Sequence, residues 1–530
     1  MSQEKTTMGA GASAAYTVKT PFESVEAALA AGKTQEEIDQ WKSNNTNTTT
    51  TTQVPNSSGI TKTPTEKTVS KPPTINNSTY DFRTSHKGRL TRSNVFCRIR
   101  PFASFGGHAE TDEVQAKQLD SWDASSVSVA TQYMFSKGSN TYSFPRAVFP
   151  PEATQKEVFD SVAPSVVSAL TQEKGNNVVM FAYGQTGTGK THTMFGPDDS
   201  LESGTFDERW GLFPRLVHAI FDETNKSTNQ FIITASAVEF YLTMAYDLLN
   251  TNAPILIDRD HKPSGNTVVQ FNDVSDLMPF LTKVRTCRTS SSTQMNSKTK
   301  DHDGSSRSHA ALIVNILQLN ATKDKYYETT LTLMDLAGAE RPDKKLRQPT
   351  AKEKKADNFV TMLTTTGGGS SSNYPDMHDQ KISERTQANV INFELTMLSA
   401  EIRKAGESHK KGRKYSPPLQ NCPDMIKFLG SCFKGNDLMS MMVALSPSGN
   451  NGWETWFSCQ YGTDLSKLSA PITKTKAKDL KKTTTLAEKT KKDLEEKLKK
   501  SSCGKYAKIQ KCQLKSVEDE LLYLKLLSEL

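Results

Sequence analysis

The sequence predicts an α/β fold in which a central mixed β-sheet is flanked by helices on both faces. Strand-like apolar runs alternate with stretches of helical periodicity, which is the pattern of a sheet covered on two sides. A glycine-rich octapeptide, 184–191, joins one of these runs to the start of a helix. With 530 residues, the chain is long enough for a large central domain and two flanking segments.

The predicted strands are short runs rich in β-branched and aromatic residues, which favour extended chains. They span residues 177–182, 231–241, 310–317, 330–334 and 441–445. Residues 390–402 repeat apolar side chains at helical spacing and predict one of the covering helices. These elements predict an α/β domain in the middle of the chain.

Residues 1–90 form an N-terminal arm that the composition predicts to be mostly disordered. An Asn/Thr run at 44–52 and a Thr/Pro/Ser/Asn-rich run at 57–79 bury too little apolar area to offset the entropy of ordering. One island differs, because 22–42 has the pattern of two short helices, the second opened by a capping box of Thr34 and Glu37. The island is interpreted as transient helix, with a hairpin that docks on a partner as the alternative.

Residues 471–530 form a basic C-terminal tail with 16 Lys against 9 Asp and Glu. The tail carries nearly all of the chain's net charge of +8 and would attract an acidic polymer. Its leucines recur at helical spacing from Leu486 to Leu498 and, after a break at 501–504, from Leu514 to Leu527. This stripe is shorter than three or four heptads, so a self-associating coiled coil and a helix packed on the domain stay open as alternatives.

Cysteine usage and hydropathy exclude several protein classes. The seven cysteines are scattered without a C-x-x-C pair, so neither a zinc site nor a disulfide framework is predicted, and a reducing compartment is expected. The polar N-terminus lacks the apolar core of a secretory signal. No run approaches the roughly 20 apolar residues of a membrane helix, so no membrane span is expected.

The octapeptide Gly184-Gln-Thr-Gly-Thr-Gly189-Lys190-Thr191 matches the phosphate-binding pattern G-x-x-x-x-G-K-S/T. Its glycines let backbone N–H groups turn towards phosphate oxygens, its lysine reaches the outer phosphates, and its last hydroxyl binds Mg²⁺. An apolar strand before the loop and a helix start after it give the expected context. The predicted nucleotide-binding residues are Gly184, Gln185, Thr186, Gly187, Thr188, Gly189, Lys190 and Thr191.

Two further segments indicate which kind of nucleotide-binding protein this is. They are Ser305-Ser-Arg-Ser-His309 and Leu333-Met-Asp335-Leu-Ala-Gly338-Ala-Glu340-Arg341. Together with residues 181–194, and in this order, they closely resemble the kinesin motor domain. The resemblance covers about residues 92–468 and includes Cys97-Arg98-Ile-Arg100-Pro101. It implies a kinesin-like motor domain over residues 91–470, with a fold of the P-loop NTPase type and with ATP and Mg²⁺ as cofactors.

The resemblance also implies roles around the phosphates and the metal. It places the hydroxyls of Thr191 and Ser306 on Mg²⁺ and Asp335 on a metal-bound water. Ser305 is expected to approach the γ-phosphate. Gly338 is expected to bring its N–H close to the same phosphate, so that the backbone senses hydrolysis.

Further roles concern closure of the pocket and binding of the adenine base. Arg307 and Glu340 are expected to form a salt bridge that closes the pocket, after which Glu340 polarises the attacking water. Arg98 and Pro101 are expected to flank the adenine. Phe159 falls where the family has a stacking aromatic ring.

The implied partner is the microtubule. The residues expected to face it depart from the family's pattern. Kinesins carry a basic stretch, Tyr-Arg-x-Ser-Lys-Leu-Thr-Arg, where this chain has residues 420–427. Asp424 stands in place of the lysine, which loses attraction to an acidic filament and adds repulsion, and Lys427 alone keeps its sign. Basic residues upstream are expected to compensate, so the predicted filament-binding residues are Lys410, Lys411, Arg413, Lys414 and Lys427.

Two insertions interrupt the resemblance. Eight residues, 297–304, separate Asn296 from Ser305, where kinesins have two, so this switch segment is stretched. The second insertion, 342–381, is long and polar, with a lysine-rich first half and a Gly/Ser-rich second half. Loops longer than about 12–15 residues are usually functional or disordered. This one is predicted to be disordered, with its basic half contacting a filament.

These observations predict a microtubule-associated motor of the cytoplasm and cytoskeleton that couples Mg²⁺-ATP hydrolysis to filament binding and movement. Cilium, flagellum and spindle are the expected places, and the Asn/Thr runs suggest a protist source. One alternative is a non-motile kinesin that acts on microtubule ends. Another is a degenerate nucleotide-binding adaptor on microtubules. Nucleic acid is not expected as a partner.

Overall fold

The computed structural model describes residues 91–102, 104–105, 108–109, 119–130, 138–202, 205–295, 307–338, 349–365, 380–448, 452–500 and 504–530. All of them belong to one compact unit within Ser70–Leu530. The predicted arm at 1–90, with its helical hairpin at 22–42, lies outside the described residues. The same holds for the stretched switch segment at 297–304.

The strands of the described chain form one large sheet and four small ones. In chain order they are β1 (Thr91–Arg92), β2 (Asn94–Ile99), β3 (Ser104–Phe105), β4 (His108–Ala109), β5 (Leu119–Trp122), β6 (Ser126–Ala130), β7 (Ser139–Ser143), β8 (Ala147–Phe149), β9 (Asn177–Tyr183), β10 (Phe231–Tyr241), β11 (Met244–Asp247), β12 (Ala253–Pro254), β13 (Leu256–Ile257), β14 (Pro263–Ser264), β15 (Val269–Phe271), β16 (His309–Leu319), β17 (Lys325–Asp335), β18 (Asp437–Leu445), β19 (Ser469–Ala470) and β20 (Lys478–Asp479).

The large sheet has the order β12-β11-β10-β16-β17-β9-β18-β2-β8, with β15 paired to β10 and β20 paired to β17. Neighbouring strands are parallel from β17 through β9, β18 and β2 to β8. They are antiparallel between β10, β16 and β17. The predicted mixed sheet is therefore confirmed, and β9, which precedes the glycine-rich loop, lies between two parallel neighbours.

Helices cover both faces of this sheet. In chain order they are α1 (Gln155–Thr171), α2 (Lys190–Met194), α3 (Leu212–Lys226), α4 (Leu277–Met295), α5 (Ala351–Thr365), α6 (Glu384–Lys410), α7 (Asp424–Phe428), α8 (Gly430–Lys434), α9 (Gly452–Ser466), α10 (Leu480–Lys500) and α11 (Lys505–Glu529), with 3₁₀ turns at Asp198–Leu201 and Val274–Asp276. Side chains alternate along β9: Val178 and Met180 join the core under α1, α3 and α4, whereas Val179 and Phe181 join the core under α6 to α9. This period of two gives the sheet two buried faces.

The second insertion is partly ordered, so the prediction of disorder is wrong for residues 351–365, which form α5. The side chains of Val360 and Leu363 are fully buried, and Val360 belongs to a cluster that includes Tyr241 and Val390. A capping box opens the helix, because Glu353 accepts from the Thr350 N–H at 2.7 Å and donates its own N–H to the Thr350 hydroxyl at 3.3 Å. The polar composition concealed one apolar stripe that is wide enough to pack.

The tail folds back as a helical hairpin that packs on β10, β16 and β17, at one end of these strands. Leu524 and Leu527 of α11 pack with Ile232 and Tyr326, and Lys491 of α10 pairs with a glutamate of α11 at 3.0 Å. Of the two alternatives for the tail, the structure shows helices packed on the domain, and this packing uses leucines that a coiled coil would need. Among the described residues, no helix is both long and apolar enough to cross a membrane.

Candidate functional site: a phosphate-binding loop and its neighbours

The glycine-rich loop leaves the carboxyl end of β9 and enters α2, at the edge of the parallel strands where open α/β sheets bind ligands. A Cβ at Gly184 would lie 2.4 Å from the carbonyl oxygen of Ala444 on β18, so the loop passes too close for any side chain. Gly189 has φ +90°, and no atom lies within 4 Å of its missing Cβ. The loop thus combines a close backbone approach with open space beside it.

Polar groups within the loop hold its shape. The Thr188 hydroxyl donates to the carbonyl oxygen of Gln185 at 2.7 Å. The Lys190 ammonium donates to that same oxygen at 2.9 Å and is only 6% exposed. The buried side-chain oxygen of Gln185 has no hydrogen-bond partner in the described chain. The lysine is therefore held over the loop, where it would meet the outer phosphates of a nucleotide.

The loop and the end of β17 meet through two side chains. The Thr191 hydroxyl donates to Oδ2 of Asp335 at 2.9 Å, and Asp335 is 2% exposed. Arg288 of α4 donates to the same oxygen at 3.2 Å and to the Ser308 carbonyl at 3.3 Å. Sequence reasoning assigned no nucleotide-site role to Arg288, because α4 gives no local signal that its side chain reaches β17.

This arrangement fits a hard divalent cation. Oδ1 of Asp335 is buried and has no hydrogen-bond partner among the described residues, while Oδ2 is adjacent to the Thr191 hydroxyl. A hydroxyl and a carboxylate that share one site are the oxygen donors that Mg²⁺ takes, directly or through its waters. Ser306, the other predicted hydroxyl, lies outside the described residues.

His309, the first residue of β16, connects the segment 335–338 to α6. Its Nδ1 accepts from the backbone N–H of Ala337 at 3.0 Å, and its Nε2 lies 3.3 Å from a carboxylate oxygen of Glu394. Glu394 also accepts from the N–H of Thr243 at 3.1 Å. The His309 and Glu394 side chains are at most 1% exposed. The residue before the predicted phosphate sensor Gly338 is thus anchored by a buried His–Glu pair that the sequence did not indicate.

Arg307 pairs with the start of α6 in this structure. Its guanidinium lies 3.7 Å from a carboxylate oxygen of Glu384 and donates to the Glu384 carbonyl at 3.3 Å. The predicted partner, Glu340, lies outside the described residues, as does Ser305. The predicted salt bridge therefore stays a prediction.

The predicted base-binding residues differ in their surroundings. Arg98 donates to Gln155 at 2.8 Å and to Thr193 at 3.0 Å, and burial lowers its pKa to about 10. Burial, reinforced by the charge of Arg98, lowers the pKa of His192 to about 4, so this ring is neutral at pH 7. Pro101 is exposed.

Phe159 has mainly packing contacts. It lies against the core under α1 and α3, with the Arg215 guanidinium 5.9 Å from its ring centre. Gln155, one turn earlier on α1, connects Arg98 to the P-loop helix through a 2.6 Å hydrogen bond to the His192 carbonyl. The polar contacts at this edge of the pocket therefore come from Arg98, Gln155 and His192.

The predicted filament-binding residues fall into two groups. Lys410, Lys411, Arg413 and Lys414 are all exposed at the end of α6. Lys427 is 5% exposed and pairs with Asp424 at 2.7 Å, and the whole of α7 is buried. Lys427 is therefore not available to a filament in this structure. The repulsion expected from Asp424 does not arise either, because its carboxylate faces the interior.

The comparisons with known proteins agree with this geometry. A family model described as "Kinesin motor domain" matches residues 98–365. Kinesin-like protein KIN-14B of Oryza sativa subsp. japonica is 34% identical over 269 residues, which are 47% of this chain and 28% of that protein. Carboxy-terminal kinesin 2 of Xenopus laevis is 31% identical over 278 residues, which are 48% of this chain and 40% of that protein.

A solved structure titled "Structure of a fast kinesin: Implications for ATPase mechanism and interactions with microtubules" superimposes with a TM-score of 0.56. It is 22% identical and covers 73% of this chain and 94% of that chain, a likeness that shows the fold. In the two sequence comparisons, the chain spans less than half the length of the curated relatives.

Proposed function

The chain belongs to the kinesin motor domain family, and from this premise we propose that it is a microtubule-stimulated ATPase of the cytoplasmic cytoskeleton. It couples Mg²⁺-dependent ATP hydrolysis to microtubule binding and movement. The observation that carries the proposal is the contact between Thr191 of the P-loop and Asp335 at the end of β17, at 2.9 Å. Beside it lies a buried carboxylate oxygen that has no hydrogen-bond partner among the described residues. This contact supports a metal-binding position shared by the phosphate loop and the end of β17.

The P-loop would hold the phosphates of ATP, and Arg98, with Pro101, would border the base. Thr191 and Ser306 would bind the metal directly and Asp335 through a water. A bound Mg²⁺ would offset charge on the phosphate oxygens during transfer. The Lys190 ammonium would give up its hydrogen bond to the Gln185 carbonyl and bind phosphate oxygens instead, because it already lies over the loop.

Closure of the pocket requires Arg307 to change partners. It contacts Glu384 in this structure and would move to Glu340, which then polarises the attacking water. Ser305 and the Gly338 N–H would approach the γ-phosphate in the same step. The Ala337 N–H donates to Nδ1 of His309 at 3.0 Å, and this hydrogen bond fixes the backbone next to Gly338.

Steady-state ATP turnover, with and without polymerised tubulin, tests the proposal. The wild-type chain should be strongly stimulated by microtubules, and Lys190→Ala should abolish both the basal and the stimulated rates. Turnover that stays low and equal in both conditions would reject a motor and favour the nucleotide-binding adaptor. Turnover that survives in Lys190→Ala would point to a contaminating ATPase.

A second candidate, a kinesin that acts on filaments without stepping, is favoured by the fixed C-terminal segment. After α9 the chain pairs as β19 with β1, donates from the Thr473 N–H to the Gly435 carbonyl at 3.2 Å, and pairs as β20 with β17. The α10–α11 hairpin then packs on the sheet. Surface-attached protein that glides stabilised microtubules supports the motor, whereas shortening of filaments without gliding supports this second candidate.

A further inference from the structure

A groove of about 1230 Å³ lies between α10, the second half of α11 and the turn that joins β16 to β17. Leucines form its apolar floor, namely Leu480, Leu521 and Leu524. Exposed lysines form its rim, namely Lys323, Lys481, Lys482, Lys489 and Lys525. Three carboxylates line the groove against these five lysines, so it combines an apolar floor with an excess of positive charge.

The walls of the groove are fixed to the sheet. Immediately before α10, β20 pairs with β17, and the Leu480 N–H donates to the Asp324 carbonyl at 2.9 Å. On the other side of the groove, the Lys323 ammonium donates to the Leu530 carbonyl at 2.6 Å. Both helices are thus connected to the ends of sheet strands, and the groove is formed before any ligand arrives.

Folding alone does not explain the rim lysines. Lys481 and Lys482 lie in the first turn of α10, where unpaired backbone N–H groups already present positive charge and acidic residues are preferred. Asp479 accepts from the Lys482 backbone N–H at 2.8 Å rather than from an ammonium group. Among the residues that the structure describes, no carboxylate lies within ion-pair distance of the ammonium groups of Lys481, Lys482 and Lys489. An anionic partner would offset this charge.

An exposed leucine stands among these lysines and indicates the class of partner. Leu486 lines the same groove and is 65% exposed. Lys482 and Lys489 lie one turn before and one turn after it on the same face of α10. Attraction to an acidic filament would use the charges alone, whereas binding at the surface of a bilayer uses both the charges and the apolar side chain.

We propose that this groove docks the chain on a membrane surface that contains anionic phospholipids. The rim lysines contact lipid phosphate groups, and Leu486 enters the boundary between headgroups and acyl chains. Each lysine near such a surface contributes about fivefold in affinity, and the apolar contact adds a part that salt does not screen.

The position of the groove separates this binding from the nucleotide site. The groove lies at the Lys325 end of β17, roughly 33 Å along the strand from Asp335. Lipid binding therefore leaves the phosphate loop and its metal position unchanged. The inference goes beyond the proposed function, because it gives the chain an attachment site that takes part in neither hydrolysis nor filament binding.

Flotation of the full chain with vesicles tests the proposal. The probe is phosphatidylcholine vesicles that contain about 30 mol% phosphatidylserine, with pure phosphatidylcholine as the uncharged comparison. The test variant replaces Lys481, Lys482 and Lys489 with glutamine. The matched control makes the same change in three exposed lysines of α10 that lie outside this groove, Lys497, Lys499 and Lys500.

The wild-type chain should bind the anionic vesicles at least tenfold more tightly than the uncharged ones. The test variant should lose at least tenfold in affinity for the anionic vesicles, and the control at most threefold. Equal losses in the two variants would show that only the overall charge of α10 attracts lipid, which overturns the groove. A wild-type chain that binds neither kind of vesicle overturns the whole inference.

Leu486→Gln tests the apolar contact, because glutamine keeps the helix propensity and adds no charge. This variant should bind anionic vesicles at least threefold more weakly at both low and high salt, whereas wild-type affinity would contradict insertion. All variants should keep wild-type ATP turnover and wild-type affinity for microtubules. If the test variant instead loses its affinity for microtubules and the wild type does not bind vesicles, the groove is a filament contact and the lipid proposal is rejected.

Discussion

Replacing Lys427 with methionine separates a structural lysine from a filament-binding one. The ammonium lies 2.7 Å from Oδ1 of Asp424, and the two side chains are 7% and 2% exposed. The other oxygen of Asp424 accepts from the Ala245 N–H at 3.2 Å. Lys427→Met would leave a buried carboxylate with one neutral donor and no cation, while it keeps most of the apolar stem.

The magnitude follows from the burial of both partners. Breaking a buried ion pair by removing one partner costs about 3–5 kcal/mol, whereas replacing both partners with apolar residues is often neutral. The double variant Asp424→Leu/Lys427→Met should therefore recover only part of the lost stability, because it removes the unpaired charge but leaves the Ala245 N–H without its acceptor. The exposed Lys410→Met should stay within about 0.5 kcal/mol of the wild type, as is usual for surface substitutions.

The pH dependence of the same variant has a definite sign. Burial raises the pKa of Asp424, so the folded state binds a proton at a higher pH than the unfolded chain. Stability from this group is therefore greatest below the unfolded pKa of about 4 and falls as pH rises through the folded pKa. Removing the cation raises the folded pKa further, so the loss in Lys427→Met should be smaller at pH 5 than at pH 8.

Urea unfolding followed by circular dichroism measures these differences at both pH values, with Lys410→Met as the exposed control. Co-sedimentation with chemically stabilised microtubules, at a temperature where circular dichroism shows Lys427→Met to be folded, should give an affinity within twofold of the wild type. The opposite pattern would refute the reasoning. In that case Lys427→Met would unfold at the wild-type urea concentration but bind microtubules at least tenfold more weakly.

Three further predictions concern the site and the tail. Thr191→Ala should weaken ATP binding in the presence of Mg²⁺ but change metal-free binding less than twofold, as measured by paired nucleotide titrations. His309→Ala leaves the buried Ala337 N–H without an acceptor and should cost about 1–3 kcal/mol in urea unfolding. His309→Asn should cost less, since its side-chain oxygen can take the same bond, and an equal cost would contradict the contact. Deleting 480–530 uncovers Ile232, Leu317 and Tyr326, so the melting temperature should fall and a hydrophobic dye should bind. An unchanged melting temperature would show that the hairpin does not pack on the sheet.

The sequence predicted the elements whose signal is contiguous. The P-loop, the segment around Asp335 and the apolar strands between them are each encoded within about a dozen residues. Arg288 and Glu394 were missed because their roles depend on tertiary distance: one reaches β17 from α4, and the other reaches His309 from α6. Helix α5 was missed because its polar composition hides the apolar stripe that contains Val360 and Leu363.

The burial of Lys427 was missed for a related reason. Its place in an aligned basic stretch indicated a surface role, whereas its ion pair with Asp424 depends on how α7 packs under β11 and α6. A sign change read from sequence says which charge is present but not which side of the helix faces solvent. An isolated charge comparison therefore predicted repulsion where the structure has a compensated interior pair.

The same distinction explains why the nucleotide pocket keeps its pattern while the filament side does not. A metal shared by Thr191 and Asp335 needs oxygen atoms placed to within a few tenths of an ångström, so no other position in the sheet can substitute for them. Attraction between lysines and an acidic filament acts over a Debye length of about 8–10 Å and has no preferred direction. Exposed basic residues at the end of α6 could therefore take over from the buried Lys427 without sharing its position.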